Sequence, residues 1–222
     1  MIKKEYLCCA IIPALNEENT LEKILLDTQQ YVQEIIVIDD GSTDNTLKIA
    51  QKYAYVIKHE RPQGYDQSLN DGFKMAQERG ADIVITLDAD GQHLAEDIPS
   101  LINPLIRGEA DVVVGKRPYR ARLMEHIFAY YSQCFKYKFS DPLCGMKAYR
   151  IKVYTTIGYF DTIGSIGTQL VFTASKKGYK ISEIPIQLQK RNDTPRFGKK
   201  LNANYKLLKA YLRLINYLNT LE

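Results

Sequence analysis

The sequence predicts an α/β fold, one mostly parallel sheet with helices packed on both faces. Two observations carry that expectation. In the first half of the chain, short β-branched apolar runs alternate with amphipathic stretches of helical period, and polar, acidic clusters follow at the C-terminal ends of those runs. Continuous apolar runs, as opposed to alternating ones, are what strands covered on both faces require. With 222 residues the chain can bury one sizeable core. The expected organisation is a single domain over 1–200 followed by an amphipathic helix over 201–222.

Strands are expected at 7–12, 34–38, 54–58, 83–87 and 111–114, with helices filling the gaps. The helix at 19–30 sets Leu21, Ile24 and Leu25 on one face. Ser42 or Thr43 can cap a second that runs to Lys52, and 67–78 reads as a third. After Val114 the alternation breaks. A basic, aromatic helix is expected at 117–138, a turn at 141–146 entering a strand at 147–149, a helix at 168–177 and a strand at 180–188. A mobile loop at 190–200 and a last helix at 201–218 complete the chain.

The totals exclude several classes. A net charge of +4, from 30 basic and 26 acidic side chains, is too small a surplus to recruit nucleic acid. No stretch reaches the roughly 20 apolar residues that span a bilayer, and the N-terminus lacks the apolar run of a secretory signal, so the chain is expected in the cytoplasm. Cys8, Cys9, Cys134 and Cys144 have no metal-ligand spacing and are expected to be reduced and mostly buried.

Chemistry concentrates at strand ends. Asp88-Ala89-Asp90-Gly91-Gln92-His93 follows an apolar run, and an extended backbone puts Asp88 and Asp90 on the same side. That pair suits Mg2+ or Mn2+, which take one or two protein carboxylates and complete their shell with water and substrate phosphates. Pro13-Ala14-Leu15-Asn16-Glu17 and Asp39-Asp40-Gly41-Ser42 fall at the same sheet edge, where open α/β sheets bind ligands. Without glycines after the first strand, neither a dinucleotide-binding turn nor a P-loop can form, so phosphate must be neutralised by metal and side chains. Asn16 and Glu17 are placed to bond a base or ribose, although Asn16 also suits a helix start. One of Asp39 and Asp40 should face the crevice while the other holds the turn, and Asp40 is assigned to the base.

The segments Ile12-Pro13-Ala14-Leu15-Asn16-Glu17-Glu18, Val37-Ile38-Asp39-Asp40-Gly41-Ser42-Thr43-Asp44, Leu87-Asp88-Ala89-Asp90-Gly91-Gln92-His93 and Asp141-Pro142-Leu143-Cys144-Gly145-Met146-Lys147 resemble, in order and spacing, the motifs of family 2 inverting glycosyltransferases. More narrowly, they resemble the polyprenyl-phosphate, dolichol-phosphate mannose synthase-like branch. The resemblance implies a GT-A fold with a mostly parallel, Rossmann-like sheet, and a UDP- or GDP-linked sugar as donor. By position it implies Pro13, Leu15, Glu17 and Asp40 around the base, and Asp88, Asp90 and Gln92 holding Mg2+ or Mn2+ against the diphosphate. It also implies Arg117 near the transferred group or the acceptor phosphate, and Arg191 and Lys199 in a basic loop. That loop departs from the family pattern, because Asn192-Asp193-Thr194-Pro195-Arg196-Phe197-Gly198 stands where a Gly-x-Ser-Lys run is common.

A polyprenyl phosphate acceptor is already anionic and needs no strong base, whereas a sugar hydroxyl needs a carboxylate, for which Asp141 is the candidate. The same Asp-Pro pair also reads as a turn former. The competing readings are a nucleotidyltransferase, a signalling receiver and a non-catalytic nucleotide-sugar binding module. The last helix carries Leu207, Leu208, Tyr211, Leu212, Leu214, Ile215 and Leu218 beside Lys206, Lys209 and Arg213. It is expected against the inner face of a membrane, against its own domain or against a second copy in a homo-oligomer.

Overall fold

The computed structural model describes residues 6–120, 122–135, 137, 139–189 and 200–221. In chain order its elements are β1 (Cys8–Ala14), α1 (Leu21–Thr28), β2 (Glu34–Asp39), α2 (Thr46–Tyr53), β3 (Tyr55–Lys58), α3 (Tyr65–Glu78) and β4 (Ile83–Thr86). A 3-10 turn at Ala95–Asp97 leads into α4 (Ile98–Ile106), followed by β5 (Val112–Lys116), α5 (Leu123–Cys134), β6 (Lys147–Arg150), α6 (Ile151–Ile157), α7 (Gln169–Lys176), β7 (Ile181–Pro185) and α8 (Lys200–Asn219).

Among the described residues the strands form one seven-stranded sheet in the order β3-β2-β1-β4-β6-β5-β7. All neighbours are parallel except β6, which runs antiparallel to both β4 and β5. The alternation of side chains along each strand splits the core in two. Cys9, Ile11, Ile36, Ile38, Val84 and Tyr149 face one layer, with Phe73 and Phe172. Cys8, Ala10, Ile12, Ile35, Val37 and Ile85 face the other, with Leu21, Leu25, Ile98 and Leu101.

Expected and observed elements differ at their ends and at two helix starts. α2 begins at Thr46, beyond the expected Ser42 or Thr43 cap, because Asp44 Oδ1 accepts the Thr46 N–H at 2.9 Å. α5 begins at Leu123 instead of near Arg117, since Arg117 directly follows β5 and precedes Pro118, which turns the residue before it away from helical backbone. The short α6, which the sequence reading does not single out, packs on β6. The last helix joins the main core: Ala203, Leu207, Ala210, Leu214 and Leu218 are buried at spacings of three and four residues. No helix of the described residues is long and apolar enough to cross a membrane. Cys8, Cys9 and Cys144 are buried free thiols, and Cys134 is an exposed one.

Packing is close where α3 crosses β1 and β2. A Cβ on Gly72 would overlap Ile11 and stand 2.9 Å from Ile38. Gly72→Ala therefore sets helix propensity, which favours alanine by about 1 kcal/mol, against overpacking, which costs about 1–3 kcal/mol. The expected outcome is net destabilisation, read as a lower urea midpoint at unchanged slope.

Candidate active site

The crevice lies at the C-terminal ends of the parallel strands, near the change of direction between β1 and β4. A cavity of about 490 Å3 there is lined by Pro13, Leu15, Glu17, Asp40, Asp88, Asp90, Gln92 and Arg117, and also by Tyr65, Arg122, Glu125, Gly145, Lys147, Ile166 and Lys206. The structure thus brings together most of the residues singled out from the sequence. Asp39 and Asn16 are not in that lining, nor is Asp141. Arg191 and Lys199 lie outside the described residues.

The turns after β1 and β2 are stitched to each other. Asn16 sits in the left-handed region (φ 51°), a conformation Asn tolerates. Its N–H donates to Ser42 Oγ at 2.9 Å, and its side-chain oxygen accepts the Thr43 N–H at 2.8 Å. Glu17 N–H donates to Thr46 Oγ1 at 2.7 Å, and Glu18 accepts the Asn45 N–H. Asn16 therefore clasps two loops.

Asp39 and Asp40 divide their labour differently from a simple facing pair. Asp39 is fully buried; its Oδ1 accepts the Ser42 N–H at 3.3 Å, and its Oδ2 has no hydrogen-bond partner. Asp40 edges the cavity, but its carboxylate accepts the Gln63 and Gly64 N–H groups at 2.7 and 2.9 Å and sits 2.7 Å from His59 Nδ1. His59 in turn reaches Asp71 at 3.1 Å. Asp40 thus anchors the turn that launches α3.

Asp88 and Asp90 stand on the loop after β4. Thr20 Oγ1 donates to Ala89 O at 2.7 Å and pins that loop to the start of α1, while Asp90 Oδ1 accepts the Gln92 N–H at 3.0 Å. Asp88 is about one-third exposed (32%) and has His93 Nδ1 at 3.8 Å. Tyr65 is half-buried beside it, and desolvation and then the Asp88 charge push the phenol pKa up. The Asp88 carboxylate rests on Gly145, where any Cβ would collide with it. Thr86 Oγ1 donates to Gly145 O at 2.6 Å and holds the two segments in register.

This cradle suits a hard divalent cation that keeps positions for water and phosphate. Among the described residues no group of three or more His, Cys, Asp or Glu is placed to hold a metal ion. A second cavity, about 400 Å3, lies on the far side of the same loop against α1 and shares Glu17 and Asp90.

On the opposite wall Arg117 is neutralised. Its Nε and terminal nitrogen bind Asp141 at 2.8 and 2.7 Å, and Glu125 stands 3.5 Å away. Arg122 also pairs with Glu125, at 3.0 Å. Burial works against ionising Asp141, yet the Arg117 guanidinium holds its pKa below the usual carboxylate range. A carboxylate 2% exposed, acid-shifted and held by a bidentate arginine positions that arginine; it is a poor proton acceptor near neutrality.

A model of the family described as glycosyl transferase family 2 matches residues 9–159. The chain belongs to that family. An uncharacterized protein of Methanocaldococcus jannaschii is 31% identical over 201 residues, 81% of this chain and 87% of that protein. A UDP-N-acetylglucosamine–dolichyl-phosphate N-acetylglucosaminyltransferase of Methanococcus voltae is 38% identical over 126 residues, 48% of this chain and 50% of its own length. Glucosyl-3-phosphoglycerate synthase from Mycobacterium tuberculosis, solved with Mn2+ and uridine-diphosphate-glucose, superposes with a TM-score of 0.75 at 23% identity, over 96% of this chain and 80% of that one. The likeness establishes the GT-A fold: an α/β sheet, mostly parallel, flanked by helices and closed by a C-terminal helix.

In this family 2 chain, Tyr65, Lys147, Ile166, Lys206 and the Arg122–Glu125 pair join the lining without having been singled out from the sequence. Lys147 carried no local signal, because a lysine at the head of a short strand that also ends in Arg150 is unremarkable until the strand's direction is known. Ile166 carried none, because it arrives on a loop, 161–168, gripped from α3: Asp66 accepts the Ile166 and Gly167 N–H groups at 3.1 and 2.7 Å. Burial, then Asp161, raises the Asp66 carboxyl to about 7. The folded state therefore keeps a proton that the unfolded chain releases at ordinary carboxylate pH. That contribution to stability is complete below the unfolded pKa and is lost as pH rises through about 7. Asp66→Asn should remove the effect, so melting curves from pH 5 to 8 should fall more steeply for the wild type than for the variant.

Proposed function

We propose that this chain is an inverting glycosyltransferase that moves a sugar from a UDP- or GDP-linked donor to a polyprenyl phosphate, with Mg2+ or Mn2+ as cofactor. The observation that carries the reading is the pair Asp88 and Asp90 at the end of β4, opening into the same cavity as the turns after β1 and β2. Pro13 and Leu15 offer an apolar wall for a base, and Glu17 offers an acceptor for its ribose. Asp88 and Asp90, with Gln92 beside them, would hold the cation, which neutralises charge developing on the departing diphosphate. Arg117, kept in place by Asp141, faces the transferred group.

Two features support an anionic, lipid-linked acceptor. Of the cavity carboxylates away from Asp88 and Asp90, Glu17 is assigned to the donor's ribose, Glu125 pairs with two arginines, and Asp40 binds His59 and two backbone N–H groups. An acceptor that arrives ionised needs no base from them. The second feature is the surface at the cavity mouth. α5 and α8 pack together through Phe128 and Tyr211 and leave Leu123, Tyr130, Tyr205, Leu208 and Leu212 exposed, with Lys209 and Arg213 interspersed. Leu207 and Lys206 of the same helix line the cavity. Apolar side chains among lysines and arginines suit the headgroup region of an anionic membrane. The Methanococcus voltae relative, a UDP-N-acetylglucosamine–dolichyl-phosphate N-acetylglucosaminyltransferase, supports this acceptor.

Transfer from a panel of nucleotide sugars to a prenyl phosphate in the presence of Mn2+ tests the reading. Asp90→Ala should cut turnover by at least about 100-fold with the fold intact, and chelation should do the same reversibly. Donor binding without turnover would reduce the chain to a binding module, and pyrophosphate release would make it a nucleotidyltransferase. For the surface, Leu208→Glu with Leu212→Glu should abolish co-sedimentation with phosphatidylglycerol vesicles while sparing turnover of a short, soluble prenyl phosphate.

A further inference from the structure

Lys147 heads β6 and lines the cavity, yet it is only 3% exposed. Among the described residues its ammonium makes one hydrogen bond, to Gly167 O at 3.3 Å, and no ion pair. An ammonium has three donors, and buried lysines are normally matched by a carboxylate. The carboxylates that act on it from farther off are occupied elsewhere: Asp141 by Arg117, Asp66 by two backbone N–H groups, and Asp88 by Tyr65. Burial accordingly draws the Lys147 pKa down. A positive group kept at the floor of a ligand cavity with no carboxylate in ion-pair distance among the described residues leaves a place for an anion that enters from outside.

We propose that Lys147 is the anion anchor of this cavity and binds a phosphate oxygen of a substrate through Nζ. The inference rests on the transferase reading and adds a residue to it. Arg117 and Arg122 are poorly suited to the task, because Asp141 and Glu125 already satisfy their charge. The position of Lys147 beside Gly145, and so beside Asp88, places one cation of the chain's own on the wall that faces the diphosphate, and Ile166 next to its hydrogen-bond partner closes the floor. The phosphate oxygen can come from the donor diphosphate or from the acceptor phosphate; the chemistry recognised is the same.

Lys147→Met and Lys147→Gln, each compared with wild type, test the assignment by calorimetric titration with UDP and GDP in Mn2+, with farnesyl phosphate and with inorganic pyrophosphate. Loss of at least tenfold in affinity for the nucleotides alone assigns Lys147 to the donor, and the same loss for farnesyl phosphate alone assigns it to the acceptor. Removing a structural lysine would lower the melting temperature of the ligand-free protein. Removing a ligand anchor should leave it unchanged or raise it, since an unmatched buried charge disappears. Unchanged affinities in the folded variants overturn the proposal and leave the transferase reading intact. A wild type that binds pyrophosphate through Lys147 but no nucleotide overturns the transferase reading and leaves the anchor standing, and one that binds none of the probes overturns both.

Discussion

Everything at the ligand edge depends on the antiparallel insertion of β6 between β4 and β5. Parallel strands deliver their last residues to the crevice, and β4 does so with the Asp88–Asp90 loop. An antiparallel neighbour delivers its first residues to that edge. The register Thr86↔Lys147 therefore sets the turn before β6 directly against the Asp88 loop. Gly145 is the consequence: two chain segments meet there with no room for a Cβ, and the Thr86 hydroxyl locks the approach by bonding the Gly145 carbonyl. The same reversal puts Lys147 on the cavity wall, whereas a parallel strand would carry it to the opposite end of the sheet.

Charge is distributed by the same logic. The site concentrates carboxylates, and like charges at close quarters raise one another's pKa unless each is matched. Asp141 is matched by a bidentate arginine, Asp40 by a histidine and two backbone N–H groups, and Glu34, at the far end of β2, by Arg79 at 2.7 Å. Asp88, by contrast, lies beside the Tyr65 phenol and has His93 Nδ1 at 3.8 Å, with no arginine against it among the described residues. That difference in partners sets Asp88 apart among the acidic residues of the crevice. It is also why the acidic composition of the strand ends, taken alone, does not say which carboxylates bind.

How much of this was legible in the sequence follows from how local each signal is. β1 to β4 and the helices between them were readable because each strand is a continuous apolar run and each crossover has its own period. The Asp88-Ala89-Asp90 segment was readable as an acidic tip after a strand, but not its expected extended backbone: Ala89 and Asp90 lie in a turn that Thr20, 69 residues away in sequence, pins through the Ala89 carbonyl. The division of labour between Asp39 and Asp40 was not, since it is decided by His59 and by the Gln63 and Gly64 N–H groups, which no local pattern brings near. Asp141 looked like a base because the Arg117 that claims it lies 24 residues away in sequence. β6 was expected as a strand, but its antiparallel direction is a property of the whole sheet, and so the arrival of Lys147 at the cavity was beyond local reading.

The loop that carries Ile166 shows where the fold accepts strain. A β-branched residue in the left-handed region (φ 56°) costs on the order of 1–3 kcal/mol. The local sequence does not favour it, so it persists only because the surroundings over-determine it. Asp66 takes two N–H groups of the loop, Asp161 takes those of Ile163, Gly164 and Ser165, and Asn70 of α3 binds the Phe160 N–H and the Asp161 carbonyl. Each of these bonds offsets part of the strain, and together they fix two things at the cavity: the Ile166 side chain in its wall, and the Gly167 carbonyl on Lys147. Relaxing Ile166 to an ordinary conformation would turn that carbonyl away and leave the ammonium with no protein partner among the described residues. The strain is thus coupled to the position of a charge, and α3, which packs on β1 through Gly72, is the rigid element that transmits it.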